Sequence, residues 1–264
     1  MVTFEVENFN VVFACPGDST ESYDAGARPI ATFYAELLGM LVTREDWFMI
    51  SKQDKIGLHL AFGDGPIDYQ PPRWPDPEHP QQVHLDFPVG DLHAADDLAI
   101  SLGATRLQDA GDYRSYADPI GHPFCLYRDP TGVEPSERPL SGKVGRVVFD
   151  CFSPRALAAF YAELLDMPTR ELDTPERVVI SRGDAHDYDL MAQLAFQHAQ
   201  SPAPRWPDPA YPQQVHLDIW VTDPKQAQNL ALRLGAIRLP DIGGSAPVFA
   251  DPAGHPFCLC SDGS

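Results

Sequence analysis

The chain repeats itself, and this repeat limits its fold more than any other feature. Arg73-Trp74-Pro75-Asp76-Pro77 returns as Arg205-Trp206-Pro207-Asp208-Pro209. Pro80-Gln81-Gln82-Val83-His84-Leu85-Asp86 returns as Pro212-Gln213-Gln214-Val215-His216-Leu217-Asp218. Gly121-His122-Pro123-Phe124-Cys125-Leu126 returns as Gly254-His255-Pro256-Phe257-Cys258-Leu259, and Phe33-Tyr34-Ala35-Glu36-Leu37-Leu38 as Phe160-Tyr161-Ala162-Glu163-Leu164-Leu165. A long period kept in order is the mark of duplicated structural units. The spacing widens along the chain, which puts the extra residues of the second copy around Gly183 to Asp189. Two homologous halves follow, residues 1–132 and 143–264. A linker at 133–142 joins them, where Pro, Gly, Ser and Glu cluster.

A weaker repeat runs inside each half. Residues 146–152 read as a strand, and Ser153-Pro154 opens a helix, Ser as N-cap and Pro at the first helical position. Leu157, Phe160, Tyr161 and Leu164 then recur at helical spacing. Residues 214–222 repeat the strand, Asp223-Pro224 the cap, and Ala227, Leu230, Ala231 and Leu234 the stripe. Gly235 supplies the left-handed residue after it. Asp91, Leu92, Ala95, Leu98, Leu102 and Gly103 do the same in the first half. Its opening module carries a longer loop, roughly Gly17 to Ala27, before Ile30, Phe33, Tyr34 and Leu37. Short alternating runs after each helix read as about three strands. The unit is βαβββ, four times over, in the α+β class.

Composition narrows the partners. The 264 residues allow one or two domains, and 44% hydrophobic content is enough for a real core. The formal charge of −19 disfavours nucleic acid and anionic membrane surfaces. No run approaches the roughly 18 apolar residues of a membrane span. The start, Met1 to Glu7, lacks the basic and apolar regions of a secretory signal, so the expected location is cytoplasmic. Five cysteines without a CxxC pair fit reduced thiols better than a disulfide framework. No phosphate-binding loop and no GxSxG elbow occurs.

The organisation resembles the vicinal oxygen chelate superfamily of glyoxalase I, extradiol dioxygenases and bleomycin-resistance proteins. The resemblance rests on the Phe-Tyr-x-x-Leu-Leu helices and on Asp-Pro-x-Gly-His-Pro-Phe-Cys-Leu at 118–126 and 251–259. The Arg-Trp-Pro-Asp-Pro and Gln-Gln-x-His-Leu-Asp stretches resemble a glyoxalase-like subgroup common in actinobacteria. The resemblance implies two tandem domains of two modules each, with curved mixed sheets around two clefts. It also implies a small-molecule ligand, and a monomer or homodimer.

Candidate site residues follow from period-two alternation. In the strand 215–221, Val215, Leu217, Ile219 and Val221 face one way. His216, Asp218 and Trp220 face the other, and His84 and Asp86 stand likewise in the first half. His-x-Asp sets an ionisable base beside a carboxylate, a pair suited to acid–base catalysis. The plain alternative is a hydrogen-bonded pair that only stabilises the sheet. Arg146 and Asp150 share a strand face and, with His216 and Asp218, line a polar pocket for a carboxylate, phenol or keto group. By the resemblance, His59, His84 and Cys125 form an N/N/S ligand set for zinc or iron in the first half. The second half offers Arg146, Gln193, His216 and Cys258, and Arg has no lone pair to give a metal. Both sets lack the superfamily's glutamate, and Cys125 and Cys258 also read as small buried strand residues. Trp74 and Trp206 read as structural anchors at the ends of the clefts.

Two functions fit these residues, beside a third reading as a scaffold with dead sites. One is an enzyme acting on a small oxygenated or aromatic metabolite, of lyase, isomerase or dioxygenase-like type. The other is a non-catalytic protein that sequesters a small molecule or drug, as bleomycin-resistance relatives do.

Overall fold

The computed structural model describes residues 4–16, 26–45, 48–52, 58–64, 70–74, 76, 81–128, 140, 142–183, 192–200, 204–205, 214–240 and 246–261. The linker at 133–139, most of the loop at 17–27, the extra residues at 184–189 and Trp206 lie outside them.

Module 1 contains β1 (Val6–Cys15), α1 (Ala27–Leu38), β2 (Leu41–Arg44), β3 (Phe48–Ser51) and β4 (His59–Asp64). Module 2 contains β5 (Val83–Val89), α2 (Leu92–Ser101), β6 (Thr105–Asp109), β7 (Tyr113–Ala117) and β8 (Pro123–Arg128). Module 3 contains β9 (Arg146–Cys151), α3 (Pro154–Leu164), β10 (Thr169–Asp173), β11 (Arg177–Ser181) and β12 (Gln193–His198). Module 4 contains β13 (Val215–Val221), α4 (Pro224–Arg233), β14 (Ile237–Arg238), β15 (Val248–Ala250) and β16 (Pro256–Cys260). The four βαβββ units are thus present.

Local chemistry explains the helix ends. Asp91 accepts from the backbone N–H of His93 and Ala94, and Asp223 from that of Gln226, which satisfies donors the first turn leaves open. Pro154 and Pro224 occupy the first turns of their helices. Ser153 stands at the N-cap position, but its side chain makes no capping bond. Gly103 and Gly235 both have φ +104°, the left-handed turn expected after α2 and α4.

The modules pair differently from the sequence expectation. Sheet I runs β14-β15-β16-β13-β1-β4-β3-β2, and sheet II runs β10-β11-β12-β9-β5-β8-β7-β6. Sheet I therefore joins modules 1 and 4, and sheet II joins modules 2 and 3. The central contacts are antiparallel, β1 with β13 and β5 with β9. Modules of the same half meet through helix and hairpin instead. Tyr34 of α1 packs against Phe13 and Phe62 of its own module and against Phe87 and Phe124 of module 2. Its hydroxyl donates to Asp118 at 3.2 Å, and Tyr161 donates to Asp251 at 3.0 Å.

One core cluster runs through all four modules and takes in the apolar faces of both sheets. Val215, Leu217, Ile219 and Val221 are buried in it, as are Val83, Leu85 and Phe87. Each such side chain stabilises the fold by about 1.5–3 kcal/mol before entropy is counted. The two sheets are also clasped directly. Gln214 Oε1 accepts from the Gln82 N–H at 2.9 Å, and Gln82 Oε1 from the Gln214 N–H at 3.3 Å. This pair uses the repeated Gln-Gln stretch on both sides of a pseudo-twofold axis. No helix among the described residues is long and apolar enough to cross a membrane.

Candidate functional site

Strand register brings the polar faces of two halves into one cleft on sheet II. Asp86 stands opposite Cys125 on one side and Arg146 on the other. Arg146 stands opposite Gln193, and Asp150 opposite Gln197. Between these polar positions, Val148, Val179 and Ala195 form a small apolar floor. The cavity above measures about 260 Å³.

Asp86 is the hub of this cleft. His84 Nε2 lies 3.4 Å from its Oδ1, while Arg177 and Arg146 approach Oδ2 at 3.1 and 3.5 Å. Arg177 also donates to Gln197 Oε1 at 3.4 Å, and Arg146 to Gln193 Oε1 at 3.2 Å. The Arg146 guanidinium sits 4.5 Å above the Tyr127 ring, a cation–π contact. Cys125 Sγ and Ser115 Oγ lie 3.3 Å apart.

The charges respond to burial and to each other. Burial works against a charged His84, but its hydrogen bond to Asp86 and the contact with Cys125 outweigh it and push the pKa up to about 10. Burial also opposes ionisation of Asp86, yet His84, Arg177 and Arg146 hold its carboxyl below the usual range. Asp150 goes the other way. Burial raises it, although the charge of His84 and hydrogen bonds from Gln81 and Gln197 pull it back. Its bond to Gln197 Nε2 is 2.6 Å.

Sheet I has the matching cleft with different chemistry. His216 Nε2 lies 3.3 Å from Asp218 Oδ1, and Cys258 stands opposite Asp218. Burial and the neighbouring Asp218 carboxylate push the Cys258 thiol pKa far up. Asn10 occupies the place that Arg146 holds in sheet II, and His59 that of Gln193. Trp220 stands opposite Asn8. The buried Oδ1 atoms of Asn8 and Asn10 and the Nδ1 of His216 have no hydrogen-bond partner. His84 Nδ1 is unpartnered in sheet II as well.

The candidate residues thus regroup. His84, Asp86 and Cys125 come together with Arg146, Asp150 and Gln193, whereas the sequence pattern groups these last three with His216 and Asp218. His216, Asp218 and Trp220 come together with His59. The set His59, His84 and Cys125 is not assembled, because β4 belongs to sheet I while β5 and β8 belong to sheet II. Each sheet instead gathers a His, an Asp and a Cys whose ligand atoms lie within 4.8 Å of one another, His84-Asp86-Cys125 and His216-Asp218-Cys258. Trp74 does line the sheet II cavity.

Arg177, Ser115, Gln197 and Tyr127 were not picked out by sequence reasoning. Tyr127 follows Cys125 by two and shares its face, so alternation alone could have found it. Arg177 opens a strand, where alternation is weakest.

The glyoxalase-like domain family matches residues 22–127 and 146–260. No curated relative matches the sequence. A mutant of glyoxalase I from Zea mays has a similar structure, with TM-score 0.61 and 15% identity over 97% of this chain and 92% of that one. A putative dioxygenase from Bacillus subtilis gives TM-score 0.58 and 14% identity over 98% and 86%. At such identities the likeness shows the shared fold. The chain belongs to the glyoxalase-like domain family and carries that domain twice in tandem.

Proposed function

We propose that the sheet II cleft binds a small oxygenated metabolite and moves a proton to or from it. The observation behind this reading is the His84–Asp86 pair at the edge of a ligand-sized cavity, with Arg146 and Arg177 beside it. With its pKa pushed up to about 10, His84 carries a proton at neutral pH and acts as an acid. Asp86 orients the ring through Nε2. The two guanidiniums stabilise negative charge developing on an enolate or carbonyl oxygen. Lyase and isomerase reactions that pass through an enolate use such a step.

Proton NMR in D2O tests this without knowing the product. A panel of 2-oxo and 2-hydroxy compounds should include one whose carbon-bound proton exchanges in the presence of protein. His84→Gln is expected to slow exchange at least about 100-fold, the usual worth of a positioned acid. Tight binding with no exchange would favour the second reading, a sequestering protein. The specific support for that reading is the engagement of Asp86 with three cationic side chains at once.

A metal fits one cleft and not the other. In sheet II the two guanidiniums on Asp86 oppose a divalent cation. In sheet I no guanidinium forms an ion pair with Asp218 among the described residues, and the unpartnered oxygens of Asn8 and Asn10 are acceptors only a cation or donor can satisfy. His216, Asp218 and Cys258 would hold the ion, and a nitrogen, oxygen and sulfur set suits zinc. The metal would act as a Lewis acid on a bound oxygen. After zinc loading and desalting, about one equivalent per chain is expected. Asp218→Ala should remove it and Asp86→Ala should not; equal losses would defeat the assignment.

The ligand is a small molecule, since the charge of −19 disfavours nucleic acid. The first strands pair within the chain, so a monomer suffices, and a homodimer would need another surface.

A further inference from the structure

We propose that the sheet II cleft selects a planar carboxylate with an aromatic or conjugated body, and that Arg146 and Arg177 are its specificity residues. The inference rests on the reading of this cleft as the ligand site and adds the chemical class of the ligand.

Charge comes first. The chain carries a formal charge of −19, yet this cleft gathers two guanidiniums around a single carboxylate, Asp86. The other carboxyl of the cleft, Asp150, is engaged with Gln197 and is drawn toward its neutral form by burial. The related position in sheet I carries Asn10 in place of Arg146, so the cationic excess is local to one cleft. A cationic cleft in an anionic protein concentrates anions at one place.

Geometry comes second. Arg146 is stacked on Tyr127 and fixed by Gln193, and Arg177 is fixed by Gln197. Each guanidinium spends two bonds on these partners and on Asp86, out of five N–H donors. Both residues line the cavity, so the remaining donors are available to a ligand. A planar fork held in this way matches a planar carboxylate in two-point contact.

The lining comes third. Trp74, Tyr113 and Tyr127 supply aromatic surface around the same cavity, and the Ser115 hydroxyl lines it 3.3 Å from Cys125 Sγ. About 260 Å³ accommodates one ring with a short oxygenated arm.

Calorimetric titration with benzoate, phenylglyoxylate, benzamide, phenyl phosphate and inorganic sulfate tests the assignment. The two carboxylates are expected to bind at least about 10-fold tighter than benzamide, the gain from charge-assisted hydrogen bonds. Arg177→Met should reduce that preference, read as the ratio of benzoate to benzamide affinity, to within about 3-fold. Arg177→Lys, which keeps the charge but not the fork, should recover only part of it. The melting temperature of each variant separates a lost contact from a lost fold, and Arg146→Met provides an independent second variant. Benzamide binding as well as benzoate would overturn the carboxylate class and leave the cleft as the ligand site. Phenyl phosphate or sulfate binding tighter than benzoate would overturn it in favour of a tetrahedral anion. Failure of both carboxylates to bind, with His84-dependent exchange intact on another compound, would overturn it too. Failure of every probe together with absent exchange would remove the underlying reading itself.

Discussion

Expressed separately, residues 1–132 and 143–264 are expected to yield no folded monomer, and to rebuild the native pairings of β1 with β13 and β5 with β9 only when mixed. Each half contains two modules, but neither contains a complete sheet. Cutting the chain takes β13 away from β1 and β9 away from β5, so two long inner strands lose their antiparallel partners at once. β5 is buried along its whole length, and the second part of β1 is buried too. Such strands, unpaired, expose a row of backbone donors and acceptors beside apolar side chains and recruit other chains. A half on its own should therefore aggregate, or dimerise by pairing its β1 with the β5 of a second copy. Size-exclusion chromatography with circular dichroism checks this. A monodisperse, folded monomer from either half would sink the expectation.

Asp251→Ala is expected to destabilise the intact protein by about 3–5 kcal/mol, as loss of a buried, fully engaged carboxylate does. Asp251 is essentially inaccessible to solvent, and its carboxylate collects four donors. Oδ1 accepts from the backbone N–H of Ala253 and His255 at 2.8 and 3.0 Å. Oδ2 accepts from the Tyr161 hydroxyl at 3.0 Å and lies 3.1 Å from His255 Nδ1. Alanine leaves these donors, three of the four buried, without that partner. Tyr161→Phe removes one donor and leaves the carboxylate satisfied, so only about 1 kcal/mol is expected. Urea denaturation of both variants should separate them clearly, and equal losses would mean that Asp251 matters only through Tyr161. The same group predicts a pH effect. Burial disfavours a charged His255, but Asp251 outweighs it and raises the pKa above 6.5. The stabilisation this gives is complete below pH 6.5 and fades as pH rises through the raised value. The gap between the wild type and His255→Gln should therefore narrow above about pH 6.5.

Much of this architecture was legible in the order of residues. Asp91 and Asp223 announce helix starts because a capping carboxylate has a local job. Val215, Leu217, Ile219 and Val221 announce a half-polar strand because alternation has a fixed period. Neither signal reaches beyond its own element. Alternation tells which face of β5 is apolar, but not that β9 rather than β1 lies beside it. That gap alone explains the misgrouping of His59 with His84 and of Arg146 with His216. Modules adjacent in sequence lie in different sheets, and no local signal carries that information. Arg177 escaped for another reason. Its role depends on contacts with Asp86 and Gln197, one of them 91 residues away in the chain.

The crossed pairing has a consequence for inheritance. In a symmetric assembly of identical copies, any substitution would alter both clefts together. Here the cleft of sheet II is built from modules 2 and 3, and that of sheet I from modules 1 and 4. A single codon change therefore reaches one pocket and spares the other. Asn10 opposite one aspartate and Arg146 opposite its twin are the outcome of that freedom. Once the duplicated copies were joined on one chain, each pocket could acquire its own chemistry while the shared frame between them stayed the same.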